Sequence, residues 1–137
     1  GLMVKDGRPR LVEYNARFGD PECQTLMLRL KSDLVDMLYA CATGYLQDVT
    51  PVWSDDPSLC VVMAAEGYPG TYKKNTVIGG LAAAAAVPQV QVFHAGTAEK
   101  DGQIVATGGR VLGICATGPD VASARASAGR RRPNGRQ

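Results

Sequence analysis

The most restrictive feature of the sequence is a series of short segments, rich in β-branched residues and separated by glycine, in the chain after residue 58. Four of these segments are strand candidates: residues 59–65, 90–96, 103–107 and 110–117. Lys100-Asp101-Gly102 predicts a tight hairpin turn between two of them, because Asp-Gly accepts positive φ. Residues 81–86 favour a helix that ends before Pro88, and Asp120 can cap a last helix that runs to Ala128. Together these segments predict an antiparallel sheet with short helices.

The chain before residue 47 has a different pattern, in which a hairpin is followed by two helices. In order, the predicted elements are a strand at 1–5, a turn at Asp6-Gly7, a strand at 10–15, a helix at 22–31 and a helix from Ser32 or Asp33 to about Gly44. Residues 47–57 carry two prolines and three aspartates without periodicity, which is typical of a connection between units. Because the chain starts directly in a predicted strand, we expect further sequence upstream.

Length and composition exclude several classes of protein. A chain of 137 residues is too short for a large multidomain enzyme, and 45% apolar with 20% charged residues argues against a wholly disordered chain. The longest uncharged apolar run, residues 78–93, contains two glycines, a proline and two glutamines, so it is a poor membrane span. The N-terminus has no basic stretch followed by an apolar core, so we expect a cytoplasmic protein without a membrane partner.

The excess positive charge is confined to the end of the chain. The formal net charge is +2, yet residues 1–120 carry 10 basic and 13 acidic side chains, a balance of −3. Five arginines follow Asp120, and residues 129–137 have no apolar face, which predicts a disordered tail. This basic run lacks aromatic partners for base stacking, so we expect no nucleic-acid partner.

Neither the cysteines nor the histidine predicts a zinc site. Cys23, Cys41, Cys60 and Cys115 are widely spaced, and their apolar or small neighbours predict reduced, mostly buried thiols. His94 is the single histidine, so a histidine-based zinc site is impossible. We expect a structural, hydrogen-bonded role for His94.

Two short motifs near residue 15 carry potential chemistry. Glu13 and Asn15 alternate along a predicted strand, so both side chains lie on one face, a few ångströms apart. Carboxylate and amide oxygens are ligands that Mg²⁺ accepts, but an ordinary polar strand face has the same spacing and is favoured by residue chemistry alone. The loop 17–22, Arg-Phe-Gly-Asp-Pro-Glu, can bind an ionic substrate. It can equally be a plain connection in which Arg17 pairs with Asp20 or Glu22.

Glu13, Asn15 and the loop 17–22 belong to one longer motif. The run EYNARFGDPECQ, residues 13–24, resembles the E-[FY]-N-x-R-F-G-D-P-E-x-Q signature of phosphoribosylamine–glycine ligases, also called glycinamide ribonucleotide synthetases. Other family-like segments follow in the same order: GLMVKDG at the start, then LKSDLVDM, GYPG at 67–70, VFHAGT at 92–97 and GGRVLG at 108–113. The resemblance extends to about residue 128 and is to the C-terminal portion of these ATP-grasp enzymes.

The resemblance implies an α+β fold in three parts. Residues 1–47 would be the end of an ATP-grasp domain with a metal-binding strand. Residues 48–128 would form a mainly antiparallel β domain of the rudimentary hybrid-barrel type, and residues 129–137 would be the disordered tail. These boundaries are expectations from the family pattern.

The resemblance also implies an activity in purine biosynthesis. It implies ATP-dependent ligation of glycine to 5-phosphoribosylamine through a glycyl phosphate, giving glycinamide ribonucleotide, ADP and phosphate. Magnesium or manganese would be held by Glu13 and Asn15, with ATP as co-substrate. Arg17, Asp20 and Glu22 would position substrate or phosphate.

Part of the family pattern is missing. Complete members have an N-terminal domain and an ATP-grasp lobe with a glycine-rich loop, a phosphate-binding lysine and an adenine pocket, and we expect the chain without that lobe to be an inactive part of an enzyme. Its arginine-rich ending also differs from the aromatic-containing ending of the family. An alternative is a non-catalytic module, derived from such a ligase, that docks onto a separate ATP-binding subunit.

Overall fold

The computed structural model describes residues 1–129, which form a mixed α/β structure whose sheets are antiparallel. The strands are β1 (Leu2–Lys5), β2 (Arg8–Leu11), β3 (Ser58–Ala64), β4 (Thr76–Val77), β5 (Val90–His94), β6 (Thr97–Lys100), β7 (Gln103–Ala106) and β8 (Arg110–Thr117). The helices are α1 (Glu22–Arg29), α2 (Leu34–Thr43), α3 (Leu81–Ala85) and α4 (Val121–Gly129), with a 3-10 helix at Leu46–Asp48. The predicted disordered tail lies outside the described residues except for Gly129, which is instead the end of α4.

The first two strands form the predicted hairpin. Strands β1 and β2 pair antiparallel, with Lys5 opposite Arg8, and Asp6 and Gly7 turn with φ of 51° and 70°. The second strand is shorter than predicted, since its regular pairing ends at the Leu2–Leu11 pair, beyond which Val12 N donates to Gly1 O at 2.9 Å. The prediction of a strand from residue 10 to residue 15 is therefore wrong beyond Leu11.

The two helices that follow have the predicted order and similar ends. Asp33 caps α2 by accepting a hydrogen bond from Val35 N at 2.7 Å, and Gly44 ends that helix with φ of 80°. Helix α1 ends two residues before the predicted Lys31, because Leu30 is extended and forms an isolated bridge with Trp53. This bridge ties the end of α1 to the connection between the two parts of the chain.

Two three-stranded sheets follow, in the orders β3-β8-β5 and β4-β7-β6. The four predicted strands are confirmed, but the strand across the Asp101-Gly102 turn from β7 is the separate β6, not the segment 90–96. The chain changes sheet at Gly96, where the Gly96 carbonyl accepts from Thr107 N at 2.7 Å and Gly108 N at 3.1 Å. A Cβ at Gly96 would lie 2.5 Å from Gly108 Cα, so this backbone crossing requires glycine.

The core lies on one face of the β3-β8-β5 sheet. Alternate residues of β8 point into it, so Leu112, Ile114 and Ala116 are buried together with Ala128 of α4. Partly buried apolar residues of β3, β5 and α3 complete this cluster: Leu59, Val61, Met63, Leu81, Val90 and Val92. Asp120 caps α4 through a 2.7 Å hydrogen bond from Ser123 N, as predicted. Burial of this face is the main source of stability that the described residues contain.

Helix α1 lies against the opposite face of the same sheet. Ser58 and Cys60 share that face by the strand period of two, and Ser58 Oγ donates to Thr25 O of α1 at 2.7 Å. The helix therefore covers the part of β3 and β8 that the core does not use. Its N-terminal loop consequently lies beside the β8 strand end that begins at Arg110.

The predicted domain boundary after residue 47 falls within the 3-10 helix. Backbone hydrogen bonds join the two sides of it: Lys31 N donates to Val52 O at 2.9 Å, and Ser54 N donates to Arg29 O at 2.7 Å. The boundary itself stays a prediction. Of the helices in residues 1–129, none has both the length and the apolar content that crossing a membrane requires.

Candidate functional site

Glu13 and Asn15 lie side by side just beyond the end of β2. The N-terminal amine of Gly1 donates to Glu13 O at 2.8 Å, which fixes this segment against the start of β1. Asn15 Nδ2 donates to Glu13 Oε1 at 3.3 Å, and both residues are exposed. The two side chains are therefore adjacent, as predicted, although regular strand pairing has ended at Leu11.

The chemistry of this pair fits a hard divalent cation that has other ligands. A half-turn of the Asn15 amide would present its oxygen beside the Glu13 carboxylate, an arrangement of two acceptors that a cation between them would stabilise. Within residues 1–129 no group of three His, Cys, Asp or Glu side chains is arranged to hold a metal. Glu13 and Asn15 would therefore supply two ligand groups, and phosphate oxygens and water would fill the remaining positions.

The loop from Arg17 to Glu22 is not closed by the ion pairs expected of a plain connection. Arg17 Nη1 donates to the neighbouring Phe18 O at 3.0 Å, and within the described residues it pairs with neither Asp20 nor Glu22. Glu22 instead folds back over Gly19, where its carboxylate occupies the space that a side chain at Gly19 would need. Arg17 thus keeps its charge exposed beside the loop.

Asp20 is held by two partners from different parts of the chain. Its Oδ1 accepts from Gln24 Nε2 at 3.0 Å, one turn further along α1. Arg110 Nη1 donates to Asp20 O at 2.9 Å and lies 3.4 Å from Asp20 Oδ2. Gln24 Oε1 is buried and has no donor among the described residues, so this cluster contains one unsatisfied acceptor.

Arg110 also contacts Tyr68, which brings a third motif to the loop. Hydrogen bonding with the Tyr68 side chain, and to a smaller extent with Asp20, raises the pKa of Arg110. The Tyr68 ring lies directly on Gly109, in the space that any side chain at that position would need. Tyr72 is tilted against Tyr68 with 6.4 Å between ring centroids. The segments GDPE, GYPG and GGR therefore meet at one place.

Sequence reasoning missed Arg110 and Tyr68 as neighbours of the candidate site. Both residues entered the sequence analysis only as members of the family-like segments GYPG and GGRVLG. One sequence signal could have pointed to them: both residues lie in short, glycine-rich segments that match the family pattern. That signal does not reveal which segments meet in space, because their contacts span 90 positions from Asp20 to Arg110.

His94 and the cysteines lie outside this cluster of side-chain contacts. His94 Nδ1 is 3.0 Å from Thr97 Oγ1, which agrees with a hydrogen-bonded structural role. All four cysteines are free, as predicted, but only Cys115 is fully buried, and Cys41 is exposed. The prediction that most of the thiols are buried is therefore wrong, because Cys23 and Cys60 are partly exposed and Cys41 is exposed.

A family model described as phosphoribosylglycinamide synthetase, C domain, matches residues 58–133. The chain is 57% identical over 128 residues to the phosphoribosylamine–glycine ligase of Agrobacterium fabrum, covering 93% of this chain and 30% of that protein. It is 54% identical over 129 residues to the chloroplastic phosphoribosylamine–glycine ligase of Arabidopsis thaliana, covering 91% of this chain and 24% of that one. The chain thus spans less than a third of the length of these relatives.

A solved structure has the same fold. The crystal structure of the phosphoribosylamine–glycine ligase of Thermotoga maritima matches with a TM-score of 0.64 and 34% sequence identity. The match covers 93% of this chain and 31% of that one. The chain therefore belongs to the phosphoribosylglycinamide synthetase family and corresponds to its C-terminal portion.

Proposed function

We propose that this chain is part of a ligase that uses ATP to join glycine to 5-phosphoribosylamine in purine biosynthesis. The proposal rests chiefly on the family membership of the chain and on the names of relatives that are more than half identical to it. In the proposed reaction a glycine carboxylate oxygen attacks the γ-phosphorus of ATP and ADP leaves. The amine of 5-phosphoribosylamine then attacks the acyl carbon of glycyl phosphate and phosphate leaves. We expect this ligase to be cytoplasmic.

In this proposal residues 1–47 end an ATP-grasp domain and residues 48–128 form a domain of the rudimentary hybrid-barrel type. The exposure of residues 1–47 supports the first part. The β1-β2 hairpin exposes apolar side chains such as Val4, and a two-stranded hairpin without a covered face is marginally stable. Strands from the remainder of an ATP-grasp domain would cover it.

Glu13 and Asn15 would hold Mg²⁺ or Mn²⁺ through one carboxylate and one amide oxygen. When bound, the cation would neutralise phosphate charge during the transfer. The support from this chain is the 3.3 Å contact between the two side chains and their exposure, which leaves room for phosphate oxygens. Within residues 1–129 no group of three His, Cys, Asp or Glu side chains could hold a metal here, which agrees with a site shared with nucleotide.

Arg17, Asp20 and Glu22 would have different positioning roles. Arg17 has an exposed guanidinium without a carboxylate partner in the described residues, so it is suited to an anionic substrate group. The Asp20 carboxylate pairs with Arg110, and the Glu22 carboxylate lies against Gly19, so the two acids would hold the loop in place. This division gives Arg17 the direct contact and the two acids an indirect one.

A chimera tests the proposed function. The corresponding C-terminal segment of the Agrobacterium fabrum ligase is replaced with this chain, and ADP release that requires both glycine and 5-phosphoribosylamine is measured. We expect an active chimera, and an isolated chain that releases no substrate-dependent ADP. Glu13→Gln in the chimera should lower the rate by about a hundredfold or more, because a preorganised charge is lost. The matched Glu99→Gln, at an exposed carboxylate of β6, should leave it unchanged.

The outcomes separate two functions. A chimera that folds and binds ATP but has no ligase activity would contradict the proposal. Tight one-to-one association of this chain with a separate ATP-binding subunit, without activity, would favour the docking module instead. Equal loss of activity in the Glu13 and Glu99 variants would contradict the proposal that Glu13 binds the metal.

A further inference from the structure

Cys60 and Cys115 lie directly opposite each other on neighbouring strands. They are register partners in the antiparallel pair β3-β8. Gly118 N donates to Pro57 O at 3.3 Å, which makes the Pro57–Gly118 pair a hydrogen-bonded one. Hydrogen-bonded and non-hydrogen-bonded pairs alternate along an antiparallel ladder, so the pair three positions further, Cys60–Cys115, is non-hydrogen-bonded.

This position is well suited to a disulfide. In non-hydrogen-bonded pairs the Cα atoms are about 4.5 Å apart, which lies within the range of about 4.4–6.8 Å found in disulfides. Side chains of directly opposite residues point to the same face. Gly113 leaves room there: a Cβ at Gly113 would be 3.1 Å from Cys60 Sγ and 4.0 Å from Cys115 Sγ. Both sulfur atoms are therefore close to one point on the sheet.

The two thiols differ in accessibility and in chemistry. Both cysteines lie on the face that α1 covers, but Cys60 is partly exposed, whereas Cys115 has no exposed surface. Hydrogen bonding with Cys115 lowers the pKa of Cys60, against smaller opposing effects of burial and of the Asp20 charge. The same hydrogen bonding, with burial, raises the pKa of Cys115. Cys60 is thus the thiol that a small oxidant meets first and the better nucleophile of the two.

We propose that Cys60 and Cys115 form an oxidation site, in which a hydroperoxide converts the two thiols into a cross-strand disulfide. The proposal rests on strand register, sulfur positions and accessibility, and it does not depend on the ligase activity. Cys23 and Cys41 lie on α1 and α2 and have no cross-strand partner. They provide internal controls for unselective oxidation.

The chemistry needs only the two thiols and a peroxide. The Cys60 thiolate attacks one peroxide oxygen, the O–O bond breaks, and hydroxide leaves to become water, which gives a sulfenic acid. Cys115 sulfur then attacks the Cys60 sulfur, an S–S bond forms, and a second water leaves with the Cys115 proton. Two thiols and one hydrogen peroxide thus give one disulfide and two waters. An external dithiol reverses the step by exchange.

The test uses the complete 137-residue chain carrying Cys23→Ser and Cys41→Ser, so that Cys60 and Cys115 are its two remaining thiols. The reduced protein is treated with hydrogen peroxide, unfolded in N-ethylmaleimide and digested with trypsin. Removing Cys41 matters because no Lys or Arg lies between Lys31 and Lys73, so trypsin leaves residues 41 and 60 in one peptide. We expect both thiols to be lost, peptides 32–73 and 111–125 to be linked, and dithiothreitol to restore both.

Two further variants test whether Cys60 is required and whether Cys60 and Cys115 are the preferred pair. Cys60→Ala in the same background should leave Cys115 alkylatable after the same treatment, because the accessible thiol is gone. The chain with all four cysteines should give the same link, with Cys23 and Cys41 still alkylatable. Circular dichroism before treatment establishes that each variant is folded. Folded protein that accumulates sulfinic acid at Cys60, or that keeps both thiols, would overturn the proposal, and so would preferential linkage to Cys23 or Cys41.

Discussion

Residues 1–47 and residues 58–129 contain similar proportions of apolar side chains, about half of the residues in each, but bury them to very different extents. In the second region six consecutive residues of β8, from Val111 to Ala116, are buried, and Leu112 keeps 2% of its surface exposed. In the first region Ala40 is the one buried residue. Leu2, Val12, Tyr14, Val35 and Tyr39 of that region each expose more than half of their surface.

The difference shows that apolar content alone does not build a core. Strands β3, β8 and β5 stack their alternate residues against α3 and α4, so each apolar side chain has neighbours from another element. Within residues 1–129 strands β1 and β2 pair only with each other, and Ala40 is the one buried residue of α2. In the proposed ligase, the apolar surface of residues 1–47 would be covered by the remainder of the ATP-grasp domain.

The largest expected effect comes from a matched pair of Leu→Ala substitutions. Leu112→Ala should lower the free energy of unfolding of the chain by about 2–5 kcal/mol, because it leaves a cavity in the core. Leu38→Ala, on the exposed side of α2, should change it by less than about 0.5 kcal/mol. Urea unfolding followed by circular dichroism measures both.

The same pair in the chimera sharpens the comparison. If the ATP-grasp domain covers α2, then Leu38→Ala should become clearly destabilising there, while the cost of Leu112→Ala stays similar. A Leu38→Ala effect that is as small in the chimera as in the isolated chain would break the explanation that α2 is a covered surface. It would also weaken the proposed assignment of residues 1–47.

Local elements were predictable from the sequence because their signals are local. Asp6-Gly7, the cap at Asp33 and the strand periodicity of residues 110–117 each act within a few positions, and each is present in the structure. The change of sheet at Gly96 was not predictable. It depends on a close approach to Gly108, twelve positions away, and a β-rich run gives no sign of where it divides between two sheets.

The candidate site was predictable to a similar degree. The contact between Glu13 and Asn15 follows from their spacing of two, although regular pairing ends before them. The partner of Asp20 does not follow from spacing, since residue chemistry offered Arg17 and the fold supplies Arg110. Long-range polar pairs depend on how helix α1 sits on the sheet, and that arrangement is set by packing.

Arg110 links the two regions through its hydrogen bond to Asp20. Arg110→Lys keeps a positive charge but loses the planar group that contacts both the Asp20 carbonyl and Tyr68. We expect amide hydrogen exchange to become faster in residues 18–24, with the protection of β8 residues 112–116 unchanged. Both Arg110 and Asp20 are half-exposed, so the urea midpoint should move far less than for Leu112→Ala. Uniformly faster exchange across β8 would mean that Arg110 supports the core.

The smallest expected effects come from the two aspartate caps, one in each region. Asp33 accepts from Val35 N and Asp120 accepts from Ser123 N, both at 2.7 Å. Asp120→Ala should lower the urea midpoint slightly, because α4 packs Ala124 and Ala128 into the buried part of the structure. Asp33→Ala should chiefly speed amide exchange in the first turn of α2, since that helix can fray without opening the core.

The stabilisation of α4 by Asp120 should decrease at low pH. Hydrogen bonding from the Ser123 backbone lowers the pKa of Asp120 from its ordinary value of 3.8. A carboxyl with a lower pKa in the folded state stabilises the fold above 3.8, and that contribution is lost as the pH falls through the folded-state pKa. The difference in urea midpoint between Asp120→Asn and the unchanged chain should therefore narrow as the pH is lowered from 7 to below 3. If this difference in urea midpoint instead widened on acidification, the charge of Asp120 would not stabilise α4. The Asp120 cap would then give no evidence that the second region is the more firmly packed one.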